Sequence, residues 1–253
     1  TDSRFYNMEV SQWGGAVCAG YSDGLNVEIE NCIFENNTAN NGGAAYLQAN
    51  TVSISDSKFN NNSAAYDSGA VYLYDSTAAI DNCIITDNSG GSEGVAIKFT
   101  RPTSGNPSVK TLTITNSVIE NNSAKSGILP AIYVDMETLD ISYCSIVNDL
   151  SIQTRTASNY DAVYGQGIAI ANNNWWGTND PTAKVTGQNI TIEKWVVMNV
   201  EASASEVSAG DEVTVTVDFN HVNTTSGELE EITGGAIPKE SYDVTLAAEN
   251  GND

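Results

Sequence analysis

The sequence predicts an all-β chain: a right-handed parallel β-helix of about six coils over residues 1–194, then the start of an immunoglobulin-like β-sandwich over residues 195–253. Three observations predict it. A passage running Asn31-Cys32-Ile33-Phe34-Glu35-Asn36-Asn37 to Gly42-Gly43-Ala44-Ala45-Tyr46-Leu47 recurs 25 residues later, as Asp56-Ser57-Lys58-Phe59-Asn60-Asn61-Asn62 to Ser68-Gly69-Ala70-Val71-Tyr72-Leu73. A unit that short cannot bury a core alone, so successive copies must stack. The apolar residues alternate with a period of two, and no segment carries a helical period. From Trp195 the texture changes to longer alternating runs, such as Val213/Val215/Val217/Phe219 and Tyr242–Leu246. These read as the opening strands of a sandwich, too few for the usual seven.

Each coil follows from this repeat. Its anchor column is Phe5, Phe34, Phe59, Ile85, Ile119 and Ile146. Upstream lies a short strand with Val27/Ile29, Val52/Ile54, a weak Ala79, Leu112/Ile114 and Leu139/Ile141. Downstream, a glycine turn precedes a second strand, whose facing Lys98 fixes. With Lys98 in solvent, Ile97 and Phe99 point inward, as do Val71/Leu73 and Ile132/Val134. The same register puts Cys18, Tyr46, Tyr72 and Tyr133 on the outside beside Lys98. Asn37, Asn62, Asn88 and Asn122 share the turn after the anchor, where stacked amides form a ladder. The sixth coil has no Asn there; Asp149 is nearest.

Cys32, Cys83 and Cys144 share one inward column with Ser3, Ser57 and Ser117 in the alternating coils. Thiols two coils apart sit roughly 9.6 Å from each other by strand spacing, beyond the approximately 7 Å reach of a disulfide. They are expected as free, buried fillers. Two insertions interrupt the coils: Thr100 to Val109, and Asp149 to Tyr164, which carries Arg155, Tyr160, Asp161 and Tyr164. Long loops on a rigid scaffold are where binding function sits. Trp175 and Trp176, followed by Gly177, read as a plug for the open end, or alternatively as a sugar-stacking platform. Gly234-Gly235-Ala236-Ile237 imitates the repeat without its upstream partner and reads as a chance match.

Charge narrows the function. With 32 acidic against 10 basic residues the net charge is −22, which argues against nucleic acid and anionic membranes as partners. Five Asn-X-Ser/Thr sequons, at Asn36, Asn61, Asn121, Asn189 and Asn223, are glycosylation acceptors that modestly favour a secreted chain. No signal peptide or membrane-spanning run is legible. The chain opens inside what reads as a repeat, so a piece of a longer polypeptide is expected.

Phe34-Glu35-Asn36-Asn37 with Gly42-Gly43-Ala44 resembles the repeat motif pair of polymorphic membrane proteins. Together with Asn174-Trp175-Trp176-Gly177 and Ser205-Glu206-Val207-Ser208-Ala209-Gly210-Asp211, the chain resembles the adhesin-like surface proteins of methanogenic archaea. That resemblance implies an extracellular, cell-surface β-helix displayed on Ig-like repeats and used in contact with surface proteins or glycans of other cells. Ile85, Ile119 and Ile146 depart from its Phe.

Catalysis is not expected. Glycoside hydrolysis needs two carboxylates at a set spacing, and the outward acids Glu28, Glu30, Asp135 and Asp140 are few among many. Arginine is limited to Arg4, Arg101 and Arg155, and the sole histidine, His221, lies in the C-terminal module. No cofactor or metal cluster is expected; adventitious calcium between acidic loops is the only ion suggested. Candidate binding residues are Tyr46, Tyr72, Lys98, Tyr133, Arg155, Tyr160 and Tyr164. Two alternatives stand: a structural spacer or wall component that self-associates head to tail, and a polysaccharide lyase or hydrolase.

Overall fold

The computed structural model describes residues 1–20, 24–102, 108–155, 167–206, 208 and 210–238. Tyr160, Tyr164 and the expected strand Tyr242–Leu246 lie outside these. Among the described residues the stack has four parallel sheets, two of which continue through the last coils after the other two have ended. Starting from the N-terminus, sheet 1 has five strands from Arg4–Tyr6 to Val118–Glu120. Sheet 2 has four two-residue strands, from Thr38–Ala39 to Ser123–Ala124. Sheet 3 has seven, from Val17–Ala19 to Val185–Thr186, and sheet 4 has seven, from Asn26–Glu30 to Ile190–Thr191. Among the described residues there is no α-helix, only a 3-10 turn at Thr182–Lys184.

The anchor column forms as the spacing requires. Phe5 pairs with Phe34, Phe34 with Phe59, Phe59 with Ile85 and Ile85 with Ile119. The first three rings stack at 4.8 and 4.6 Å between centroids, tilted 11° and 3°. Full burial of Phe34 and Phe59 stabilises the stack by roughly 2–3 kcal/mol per side chain.

Beneath the anchor lies the asparagine ladder. Asn37 Nδ2 donates to Asn62 Oδ1 at 2.9 Å, Asn62 to Asn88 at 3.0 Å and Asn88 to Asn122 at 3.0 Å. Each Oδ1 also accepts the backbone N–H of the asparagine one coil earlier, and each amide also donates to a carbonyl of the anchor strand. The buried amides are thereby satisfied on both ends. One expectation is corrected here: the sixth coil does carry a rung, Asn148, whose Oδ1 accepts from Asn122 N at 2.9 Å. Aligning the repeat on Asp149 is one residue late.

Sheet 4 also corrects the register. Ala78 and Ile80, not Ala79, continue the inward column, pairing with Val52 and Ile54. In the strand Ile168–Asn172, Ala169 and Ala171 point inward while Ile168 and Ile170 are exposed. Small residues suit this level because the same core cluster must hold Trp176. The expected insertion at 149–164 starts too early: Leu150–Thr154 is a strand of sheet 3, paired with Pro130–Val134. With the rungs Val185–Thr186 and Ile190–Thr191 added, sheets 3 and 4 reach seven levels, where about six coils were expected.

The turn before sheet 3 requires glycine for two separate reasons. Gly42 has φ +64°, the left-handed region. Gly43 faces the turn of the next coil, where a Cβ would lie 2.3 Å from Gly69 O. Stacked turns leave no room for a side chain.

The cysteine column is inward and free of disulfides. It does more than fill space, because the thiols take part in hydrogen bonds. Cys32 N and Cys83 N donate to Ser57 Oγ and Ser117 Oγ, and Cys83 Sγ donates to Asp81 O at 3.2 Å. Burial pushes the Cys83 and Cys144 thiols up to about 12. Cys18 is exposed.

At the far end Trp176 is fully buried in the helix core, one residue past Trp175, which bridges to Ser145 of the sheet 1 wall. Trp175 joins a second small cluster with Val196, Val222 and Ile237, and its ring meets Phe219 edge-on at 4.9 Å. Both indoles are therefore covered, which removes the exposed stacking platform. The C-terminal segment is a three-stranded antiparallel sheet of Lys194–Ala202, Val215–Thr224 and Leu229–Glu231, which fits an Ig-like opening. Val213 lies just before the second strand. The sheet grows directly out of the β-helix wall, since Val196 N donates to Asn174 O. The Gly234-Gly235-Ala236-Ile237 stretch forms no repeat strand. Tyr143 Oη donates to Thr233 O at 2.7 Å, and a Cβ on Gly235 would come within 2.5 Å of the Tyr143 ring.

Candidate binding site

Sheet 3 presents its outward residues in two parallel columns. The first runs Cys18, Tyr46, Tyr72, Lys98, Tyr133 and Gln153 by direct strand register. The second, two residues on, contains Tyr74 paired with Thr100, and the alternation adds Gln48, Asp135 and Arg155. The two columns give the face three zones.

At the N-terminal end the zone is aromatic. Trp13, in the turn of the first coil, stacks on Tyr46 at 5.5 Å and 22°. Tyr46 meets Tyr72 edge-on at 5.1 Å and lies nearly parallel to Tyr74 at 6.5 Å. These rings, with Asn41, Gln48, Asp67 and Pro102, line an open cleft of about 450 Å³. Trp13 remains 38% exposed.

The middle zone is an ion cluster. Lys98 Nζ lies 2.7 Å from Asp67 Oδ2 and 2.8 Å from Glu93 Oε2, and 5.3 and 5.9 Å from the Tyr72 and Tyr133 ring centroids. The expectation of a solvent-exposed Lys98 is corrected: it points away from the core but is only 8% exposed. Two acidic turn residues and two aromatic neighbours cover it. Burial opposes its charge, but Tyr72 and the two carboxylates outweigh burial and hold the amine above its ordinary range. Burial likewise pushes the Tyr72 phenol up to about 12 and raises that of Tyr133. Both stay neutral donors at ordinary pH.

The third zone pairs Arg155 Nη1 with Asp135 at 3.0 Å, and Thr100 Oγ1 donates to the same carboxylate at 3.3 Å. The structure thus brings Tyr46, Tyr72, Lys98, Tyr133 and Arg155 onto one face. It also supplies residues that motif reading missed: Trp13, Tyr74, Asn41, Gln48, Asp67 and Glu93. Tyr74 was legible, because the alternation that faces Tyr72 outward faces Tyr74 outward too. Trp13 occupies the turn column one coil before Asn41, to which it bridges.

The Asn ladder is internal and offers no ligand group to solvent. Asn36, Asn61, Asn121 and Asn189 are exposed at left-handed turn positions, while Asn223 is half-buried. Among the described residues no group of three or more His, Cys, Asp or Glu is placed to hold a metal.

A family model for the right-handed β-helix region matches residues 1–160. The chain belongs to the right-handed β-helix family. No curated protein and no solved structure matches it. This family occurs in surface proteins and adhesins, and also in polysaccharide-degrading enzymes. In this right-handed β-helix the aromatic cleft and the ion cluster share one face of sheet 3, held by a wall whose neighbouring coils are hydrogen-bonded throughout.

Proposed function

We propose that this β-helix is an extracellular attachment module that binds surface glycans or proteins of other cells through the outer face of sheet 3, without catalysis. The observation that carries the proposal is the aromatic cleft. Trp13, Tyr46, Tyr72 and Tyr74 converge on an open cavity on a rigid sheet, and 38% of Trp13 is left in water. Large rings with polar tips contribute most of the energy at recognition surfaces. A site on stacked strands is preorganised, so little ordering entropy is lost on binding.

The absence of a catalytic step is part of the proposal. Asp67, the carboxylate lining the cleft, already accepts from Lys98 Nζ, Ser92 Oγ and Glu93 N. It is also the one carboxylate among the described lining residues, so the cleft lacks the pair that glycoside hydrolysis uses. Glycan arrays and whole cells probed with the chain, with reducing-end release assayed alongside, test the proposal. Saturable binding without product supports attachment. Released product transfers the site to a polysaccharide enzyme, and absence of binding in both formats overturns the proposal.

A further inference from the structure

Resting on that reading of the cleft, we infer that its ligand is an uncharged pyranose oligosaccharide, held by ring stacking on Trp13 and by hydrogen bonds to the side-chain amides of Asn41 and Gln48. Three observations carry this.

The first is the arrangement of rings. Trp13 stacks on Tyr46 and Tyr46 on Tyr74 with tilts of only 22° and 23°, so each ring lies nearly parallel to the next at the cleft. Tyr46 is covered, and Trp13 is the ring with most surface left to water. A pyranose presents a flat patch of C–H bonds that matches an aromatic face, and its hydroxyls need polar partners around the rim.

The second is the rim. Asn41 and Gln48 line the cleft, and neither side-chain amide has a hydrogen bond within the described residues. Asn41 is fixed by its backbone, whose N–H donates to Gln12 O at 3.0 Å. A primary amide offers both donors and an acceptor, the pattern that a pair of neighbouring hydroxyls completes.

The third is charge. Among the described lining residues none is basic. Lys98, just beyond, is held by Asp67 and Glu93. A uronate or sulfated chain would find no cation, and the net charge of −22 would repel it. The acid beside the rings is likewise occupied, so a cationic ligand gains no free carboxylate. What remains favours a neutral sugar.

The test is calorimetric titration of the whole chain with cellotetraose, maltotetraose and mannotetraose, with tetragalacturonate as the anionic probe and tetramethylammonium as the cationic one. The expected result is saturable binding of at least one neutral tetrasaccharide, unchanged between 50 and 500 mM salt (roughly, a range that spans strong to weak screening). Trp13→Ala is expected to weaken it at least tenfold, and Asn41→Ala with Gln48→Ala together by a similar factor. Trp13→Phe should retain most of it. Matching thermal melts of each variant and the parent exclude unfolding as the cause. Tighter binding of tetragalacturonate or tetramethylammonium than of any neutral sugar overturns the inference. So does unaltered binding by Trp13→Ala, or no neutral binding at all. Cell capture that persists in the last case leaves attachment standing and removes only the glycan assignment; loss of both removes both.

Discussion

Glu137 gives the sharpest quantitative test. It sits at the corner between sheets 3 and 4, fully buried, directly after the left-handed Met136. Its Oε2 accepts the backbone N–H of Lys110 at 2.6 Å, while Oε1 has no protein partner among the described residues. Burial raises its pKa from 4.5 to about 7, against the lowering effects of the Lys110 N–H and the Arg101 charge; Asp75 adds to the rise. A folded pKa above the unfolded one means that the folded state holds the proton longer. The stabilising term is therefore complete below about pH 4.5 and lost as pH rises to about 7. A shift of this size corresponds to about 3 kcal/mol. Glu137→Gln keeps an acceptor for Lys110 N, fills the same space and cannot ionise. Urea unfolding at pH 4.5, 6 and 8 should show the variant close to the parent at the lowest pH and more stable by about 3 kcal/mol at the highest. Comparing the two chains cancels the titration of the other acids. A difference that is constant with pH, or a parent that is the more stable at pH 8, would refute the reasoning.

Other consequences follow from the same packing. Asn88→Ala removes the acceptor of Asn62 N and Nδ2 and the donor to Phe59 O; at about 1–3 kcal/mol per buried group left unmade, a loss of roughly 3 kcal/mol or more is expected in urea melts. Iodoacetamide at pH 8 should label only Cys18 in the native chain, because the other three thiols are buried; mass spectrometry should find all of them labelled after denaturation. Gly235→Ala should loosen the C-terminal sheet by pushing on Tyr143, seen as faster amide exchange over Lys194–Ala202 than in the parent chain. Lys98→Met strands Asp67 in a partly buried site and should cost about 3–5 kcal/mol, more than Lys98→Met combined with Asp67→Asn.

Much of the architecture was legible because one side-chain period repeats at every level. The Phe34–Phe59 pairing, the Asn rungs and the Cys/Ser column follow from one repeated register, 25 to 34 residues from coil to coil, that any strand slip would destroy. Where a position's chemistry was weak, the register slipped: Ala79 beside Ala78 carries no apolar contrast, and Asn148 beside Asp149 offers two polar candidates for one rung. Seven levels emerged instead of six because the last rungs are only two residues long. The binding face was half legible. Alternation placed Tyr46, Tyr72, Lys98 and Tyr133 on one side, but burial of Lys98 depends on Asp67 and Glu93, which reach it from turns of two different coils. Trp13 belongs to a coil whose anchor alignment says nothing about where a turn side chain lands. Contacts between coils set the cleft, and the repeat motif describes only what coils share.

The most direct test of attachment through sheet 3 is capture of whole cells by beads coated with the parent chain or with a Trp13→Ala, Tyr74→Ala variant, with released reducing ends measured in the same wells. The account predicts saturable capture by the parent, loss of most of it with the variant at an unchanged melting temperature, and no released sugar. Equal capture by both coatings, or sugar released by the parent, would contradict it.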